Sequence, residues 1–281
     1  MKKILLFSAI LLSCLTYAQE VKQPIHVKVT GSGKPLLLIP GFTVPGESWN
    51  SLVNQLEKNH ECHIVTLAGF GDKEPIDFPW LPAVNEAIET YINDNQIKDL
   101  TVIGHSLGGT IATWLAGRSN NYLSRIILVD ALPATGALMM PNYNPDNLVY
   151  DSPYNNQMLS MSEADFEKMA DAMAKGMSLN PEAQKNIKDW MILADRRTYV
   201  YGYTDYLKLD LRENLKNISI PVTIIAADMP YGKNMVTQTY QTQYANLAKY
   251  DLIIADNSAH FVMFDQPEWF IDQIQQILVS N

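Results

Sequence analysis

Leu100-Thr101-Val102-Ile103-Gly104-His105-Ser106-Leu107-Gly108-Gly109 joins an apolar run to a glycine-flanked serine and then to an amphipathic stretch. In that stretch Leu107, Ile111, Trp114 and Leu115 recur at helical spacing. A strand, a tight turn and a helix in that order are the context in which a Gly-x-Ser-x-Gly turn presents its serine as a nucleophile. The turn forces the serine into a strained backbone conformation, and a side chain at either flanking glycine would crowd the strand or the helix. Ser106 then stands at a helix start, beside backbone N–H groups able to stabilise developing negative charge. The bland alternative is a serine N-cap on a glycine-flanked helix.

Outward from this turn, strands and helices alternate. Ile25-His26-Val27-Lys28-Val29 alternates apolar and polar, Pro35-Leu36-Leu37-Leu38-Ile39 is apolar throughout, and His63-Ile64-Val65-Thr66-Leu67 follows. Trp49, Leu52, Val53 and Leu56 are spaced as one helix face, and Val84, Ile88, Tyr91 and Ile92 as another. After the serine helix, Arg125-Ile126-Ile127-Leu128-Val129 reads as a strand closing on Asp130. Such alternation implies crossover connections and a mostly parallel sheet. Between residues 134 and 217 the strands stop. Ser162 to Met177 reads as a helix with a capping box, its apolar face made of Phe166, Met169, Met173 and Met177. Pro181 to about Leu215 is helical or irregular. The sheet pattern resumes at Pro221-Val222-Thr223-Ile224-Ile225, then a helix over 234–247, the strand Asp251-Leu252-Ile253-Ile254 and a helix over 267–278. Residues 134–217 are therefore expected to be a helical cap inserted into one α/β domain.

The chain has 281 residues and a formal charge of −9. It opens with Met1-Lys2-Lys3, an apolar stretch to Leu15, and Thr16-Tyr17-Ala18, the pattern of a secretory signal peptide cleaved after Ala18. The apolar run is too short to span a bilayer. An alternative is lipidation at Cys14, in Leu11-Leu12-Ser13-Cys14. Once Cys14 is removed, Cys62 is the only cysteine, which excludes an intrachain disulfide. The acidic balance argues against nucleic acid or an anionic membrane as partner. His60 and His63 flank Cys62, but no further ligand pair lies nearby, so neither a metal nor another cofactor is expected. The oligomeric state is open.

A serine alkoxide needs a base, and the base needs an orienting group. His260 follows the last strand, in Asn257-Ser258-Ala259-His260-Phe261. Carboxyl ends of parallel strands share one rim, so Ser106 and His260 can meet there although far apart in sequence. His105 is expected to be structural and turned away from the nucleophile's face.

With Pro40-Gly41-Phe42, Gly104 to Gly109, the cap insertion and Ser258-Ala259-His260 in hand, the chain resembles the α/β-hydrolase superfamily over essentially its whole mature length. The resemblance implies the order nucleophile, acid, histidine, and an oxyanion hole from the N–H groups of Leu107 and Phe42. It also implies that the acid most often sits about nine residues past the proline opening the strand after the cap. From Pro221 that position is Pro230, which cannot serve. Asp228 lies two residues earlier. A minority of the superfamily puts the acid at the end of the strand after the nucleophile, which is Asp130 here. Asp130 is favoured, Asp228 is the alternative, and Asp256 is too close to His260 to orient it easily.

The function expected is serine hydrolysis of a small or medium carboxylic ester through an acyl-enzyme. Amide or peptide hydrolysis of iminopeptidase type is a second reading; it needs acidic cap residues such as Glu163, Asp165 and Glu167. A non-catalytic ligand-binding protein of the same fold is a third. Cap methionines 139, 140, 158, 161, 169, 173 and 177 and tyrosines 199, 201, 203 and 206 either line a malleable apolar pocket or bury the cap against the sheet.

Overall fold

The computed structural model describes residues 22–118 and 122–279. The expected leader peptide, its cleavage position and Cys14 lie outside the described residues.

Seven strands form one sheet: β1 (Ile25–Gly31), β2 (Lys34–Ile39), β3 (His60–Leu67), β4 (Leu100–His105), β5 (Leu123–Val129), β6 (Val222–Ala227) and β7 (Asp251–Ala255). Their spatial order is β1-β3-β2-β4-β5-β6-β7. Only β1 runs antiparallel, against β3; the other pairs are parallel. This is the α/β-hydrolase fold. The central strands β2 and β4 are buried on both faces over most of their length, which is why apolar residues follow one another in them instead of alternating with polar ones.

Successive side chains of β2 show how the two faces are filled. Leu37 and Ile39 join the layer that holds α2 (Trp80–Asp94), α3 (Leu107–Ala116) and α9 (Lys233–Gln243). Leu36 and Leu38 join the layer that holds α1 (Asn50–Leu56) and α11 (Pro267–Val279).

Between β5 and β6 the chain is helical: α4 (Thr135–Met139), α5 (Pro153–Ser160), α6 (Glu163–Met177), α7 (Pro181–Leu193), a π-helical turn over Thr198–Gly202 and α8 (Tyr203–Lys208). The Ser162 hydroxyl caps α6 by accepting from the N–H of Asp165 at 3.2 Å. This segment is pinned to the sheet domain by buried polar groups. Asp205 of α8 accepts from the N–H groups of Trp80 and Leu81 at 2.7 and 3.1 Å, satisfying two otherwise orphan donors at the start of α2. It accepts as well from the Tyr150 hydroxyl at 2.5 Å.

The sequence periodicity overran in one place. The helix expected over 234–247 ends at Gln243, because Tyr244 leaves helical geometry (φ −100°, ψ 18°) and the N–H of Leu247 closes a turn on the Tyr244 carbonyl at 2.9 Å. A short helix α10 (Val262–Asp265) lies just past His260 and has no periodic signature of its own.

Candidate active site

Ser106 occupies the turn between β4 and α3 with φ 52° and ψ −120°. A serine holds that left-handed conformation only where its surroundings enforce it. Its N–H donates to the Val129 carbonyl at 2.9 Å. Close approach explains the glycines: a Cβ on Gly104 would lie 2.3 Å from the Gly108 carbonyl oxygen, and one on Gly108 would lie 2.1 Å from that of Ile39.

Sheet register brings Asp130 beside it. His105 of β4 pairs with Val129 of β5, and Val129 with Ile225 of β6. The residues that follow, Ser106 and Asp130, therefore leave the sheet side by side at its carboxyl rim. Asp130 too has a positive φ, 44°. One carboxylate oxygen lies 2.6 Å from His260 Nδ1, while the other accepts from the Ala227 N–H at 3.0 Å and the Tyr240 hydroxyl at 2.9 Å. Burial alone would raise the Asp130 pKa; the His260 hydrogen bond and charge, with the Ala227 and Tyr240 donors, outweigh it and hold the carboxyl below its ordinary value.

The other two acids serve elsewhere. Asp228 accepts from the Ser258 N–H at 3.1 Å and so braces the loop that carries His260. Asp256 is an exposed partner of Lys233 at 3.9 Å.

Three main-chain restraints fix the His260 loop. The Ala259 N–H donates to Asp265 at 2.7 Å, the His260 carbonyl accepts from His105 Nε2 at 2.9 Å, and the Phe261 N–H donates to the Met177 carbonyl at 3.0 Å. The second oxygen of Asp265 gathers the Ser178 hydroxyl at 2.5 Å and the N–H groups of Leu179 and Asn180 at 2.9 and 3.3 Å. One carboxylate thus ties the α6–α7 junction to the loop bearing the imidazole.

His105, expected to be structural and turned away from the nucleophile's face, packs under the His260 loop. Its ring lies 4.6 Å from that of His260 and supports that residue's backbone. The turn that exposes Ser106 directs the preceding side chain beneath the His260 loop. Burial first, then the charge of His260, drives the His105 pKa down to about 3, against smaller raising effects from its hydrogen bond to the His260 carbonyl and from Asp130. An unfolded chain takes up this proton near pH 6.5 and the folded one only near 3, so stability is complete above 6.5 and drains as pH falls between those values. Urea unfolding should show a loss of about 3 kcal/mol between pH 7 and pH 4 from this group. His105→Gln should flatten that limb; an unchanged slope would remove His105 as its source.

The loop after β2 lies against the serine, since a Cβ on Gly41 would be 3.3 Å from Ser106 Cβ. The N–H groups of Phe42 and Leu107 make no backbone hydrogen bond among the described residues, and Leu107 opens α3, where no intrahelical acceptor exists.

Ser106, Asp130, His260 and Phe42 share the wall of a cavity of about 680 Å³. Eight of the chain's 12 methionines line it. Met139, Met158, Met169, Met173 and Met177 were among those singled out from the sequence; Met191, Met229 and Met235 were not, the last two because they follow β6, outside the cap. Tyr206 of α8 brings a phenol to the serine. Burial raises its pKa, and hydrogen bonding with Thr135, Thr110 and Ser106 works against that rise; the Thr135 contact is 2.8 Å. Among the described residues no direct hydrogen bond joins His260 to the Ser106 hydroxyl.

Elsewhere, His63 binds the Tyr91 hydroxyl at 2.7 Å and Glu61 at 2.9 Å, so both ring nitrogens have protein partners. Among the described residues no cluster of three His, Cys, Asp or Glu could hold a metal, and no helix is long and apolar enough to cross a membrane.

Residues 36–273 match the model of the alpha/beta hydrolase family. The chain belongs to the alpha/beta hydrolase family. Curated relatives of this hydrolase include the pimeloyl-[acyl-carrier protein] methyl ester esterase of Vibrio cholerae, 24% identical over 257 residues that cover 89% of this chain and 96% of that one. Another is the N-formylmaleamate deformylase of Pseudomonas putida, 21% identical over 251 residues, covering 87% and 88%. Among solved structures, an esterase from Exiguobacterium antarcticum superposes with a TM-score of 0.74 at 18% identity, covering 91% of this hydrolase and 96% of that chain. The enol-lactonase from Burkholderia xenovorans gives a TM-score of 0.76 at 16% identity with the same coverage.

Proposed function

We propose that this alpha/beta hydrolase is an exported serine esterase acting on a carboxylic ester of small or medium acyl chain. The observation that carries the reading is the 2.6 Å contact between His260 Nδ1 and Asp130, in a cavity wall that also holds a serine in strained geometry. Asp130 keeps the imidazole in the tautomer whose Nε2 is free to accept a proton. His260 takes the Ser106 proton, and the alkoxide adds to the ester carbonyl carbon. The N–H groups of Phe42 and Leu107 receive the oxyanion. Collapse returns the proton from His260 to the leaving alcohol and leaves an acyl-enzyme; water deprotonated by His260 then releases the acid and restores Ser106. Nucleophile–base contacts of this kind tighten when substrate arrives.

Ester cleavage is favoured over the aminopeptidase reading by the placement of Glu163, Asp165 and Glu167. All three are exposed on α6 and none lines the cavity, so none of them awaits a substrate ammonium there. The names of the esterase relatives point the same way. Export rests on the N-terminal eighteen residues alone.

A fluorophosphonate probe should label the wild-type protein and not Ser106→Ala, and 4-nitrophenyl esters should turn over where aminoacyl naphthylamides do not. Folded protein that resists the probe would favour a ligand-binding role. Mass spectrometry of the mature chain should find Gln19 first; an acylated Cys14 would make it a lipoprotein.

A further inference from the structure

We infer that the ester cleaved here is uncharged and carries a flexible apolar acyl chain of medium length, which lies along the methionine-lined cavity behind an apolar rim. The inference rests on the esterase reading and narrows its substrate beyond a small acyl group.

The lining residues set the charge. Apart from Asp130, already paired with His260, no Asp, Glu, Lys or Arg lines the cavity among the described residues. A carboxylate, phosphate or ammonium on the substrate would lose its water there and find no partner, which costs far more than a buried methylene returns.

Polar groups of the wall are mostly committed to the protein. The Tyr199 hydroxyl rests on the Met173 sulfur at 3.7 Å and that of Tyr203 on the Met139 sulfur at 3.5 Å. Tyr240 is spent on Asp130 and Tyr206 on Thr135. The Asn155 amide donates to the carbonyls of Val149 and Tyr150 at 3.1 and 3.0 Å. Away from Ser106 the wall therefore presents chiefly thioether and hydrocarbon. Methionine is the side chain best able to reshape around a flexible chain, having three rotatable bonds and a polarisable sulfur.

Size and rim point to length. At about 680 Å³ the cavity falls within the range of sites that enclose drug-sized ligands, far more than an acetyl or butanoyl group occupies. At its mouth Leu138, Met139, Tyr154, Met229, Tyr231 and Met235 line the cavity and are also exposed to solvent, between 41% and 69%. They come from α4, from α5 and from the loop and helix after β6, so apolar side chains meet at the opening from separate segments. Scattered exposed apolar residues need no explanation, but a set gathered at the opening of an apolar cavity is a surface awaiting cover. An apolar acyl chain packed against the inner side of this rim supplies that cover.

The test compares 4-nitrophenyl butanoate, 4-nitrophenyl octanoate and the mono-4-nitrophenyl ester of octanedioic acid, without detergent and below micelle-forming concentrations. Octanoate should exceed butanoate in kcat/KM by about two orders of magnitude, since each buried methylene is worth up to about fourfold. The carboxylate-tipped ester should fall about 100-fold or more below octanoate. Met229→Lys with Tyr231→Lys should lower the octanoate-to-butanoate ratio about tenfold. A flat or falling chain-length profile, an equal rate for the charged ester, or an unchanged ratio in the double variant would each overturn the inference. Fluorophosphonate labelling of Ser106 in the same preparation keeps the two questions apart. Labelling with a flat profile sinks the medium-length chain and leaves the esterase standing, whereas no labelling of folded protein sinks the esterase first.

Discussion

Exchange of Ser106 for alanine is expected to lower kcat for a neutral ester about 10⁵–10⁶-fold, with KM changed little. The size follows from what the hydroxyl supplies. Without it no acyl-enzyme forms, and neither His260 nor the Phe42 and Leu107 donors can act on a covalent intermediate. Only the donors and the apolar enclosure remain to speed direct attack by water, so a small residual rate over solution should survive. The exchange should not disturb the fold. Alanine keeps the Cβ, and the Ser106 main chain is held by its N–H bond to Val129 and by α3, whose Gly109 and Thr110 N–H groups donate to the Ser106 carbonyl at 2.9 and 3.1 Å. Single-turnover kinetics with a 4-nitrophenyl ester would measure the effect, and a loss below tenfold would mean that the hydroxyl is a bystander.

Asp130→Asn should cost about three to four orders of magnitude in kcat, and Asp228→Asn less than tenfold. An amide at 130 can present its NH₂ to His260 Nδ1, which turns the imidazole into the tautomer whose Nε2 carries hydrogen and cannot accept the serine proton. It would also leave the imidazolium formed during attack without its counter-charge. The effect should lie in kcat and persist across the neutral range, because the wild-type carboxyl is already held below its ordinary pKa. Asp228 acts on the Ser258 N–H, so its replacement should loosen the loop and show in thermal stability more than in turnover. The opposite ranking of the two variants would transfer the orienting role to Asp228.

The fold was legible because its signals are local. Continuous apolar runs mark strands buried on both faces; the helical stripes of 84–92 and 107–115 cover one face and those of 49–56 and 267–278 the other. Harder to read were α4, α5 and α10, which are too short to show a period, and the π-helical turn over Thr198–Gly202, which departs from the 3.6-residue repeat. At the site, the glycine-flanked turn and the histidine after the last strand carry their own sequence context. Partners joined across the fold do not. Tyr240 reaches Asp130 across 110 positions, and Asp265 reaches Leu179 across 86. In sequence each is merely a polar residue on a helix. Tyr240 could have been suspected as the hydroxyl one turn after Val236 on the buried face of α9; nothing comparable singles out Asp265.

Asp265 has a mechanical consequence. Its two oxygens hold the joint between α6 and α7 on one side and the amide preceding His260 on the other, while Met177, the last residue of α6, grips the amide that follows. Swinging those two helices outward as a body would unmoor the imidazole in the same movement. Substrate entering at the opening between Leu138, Tyr154 and Tyr231 would leave that joint undisturbed.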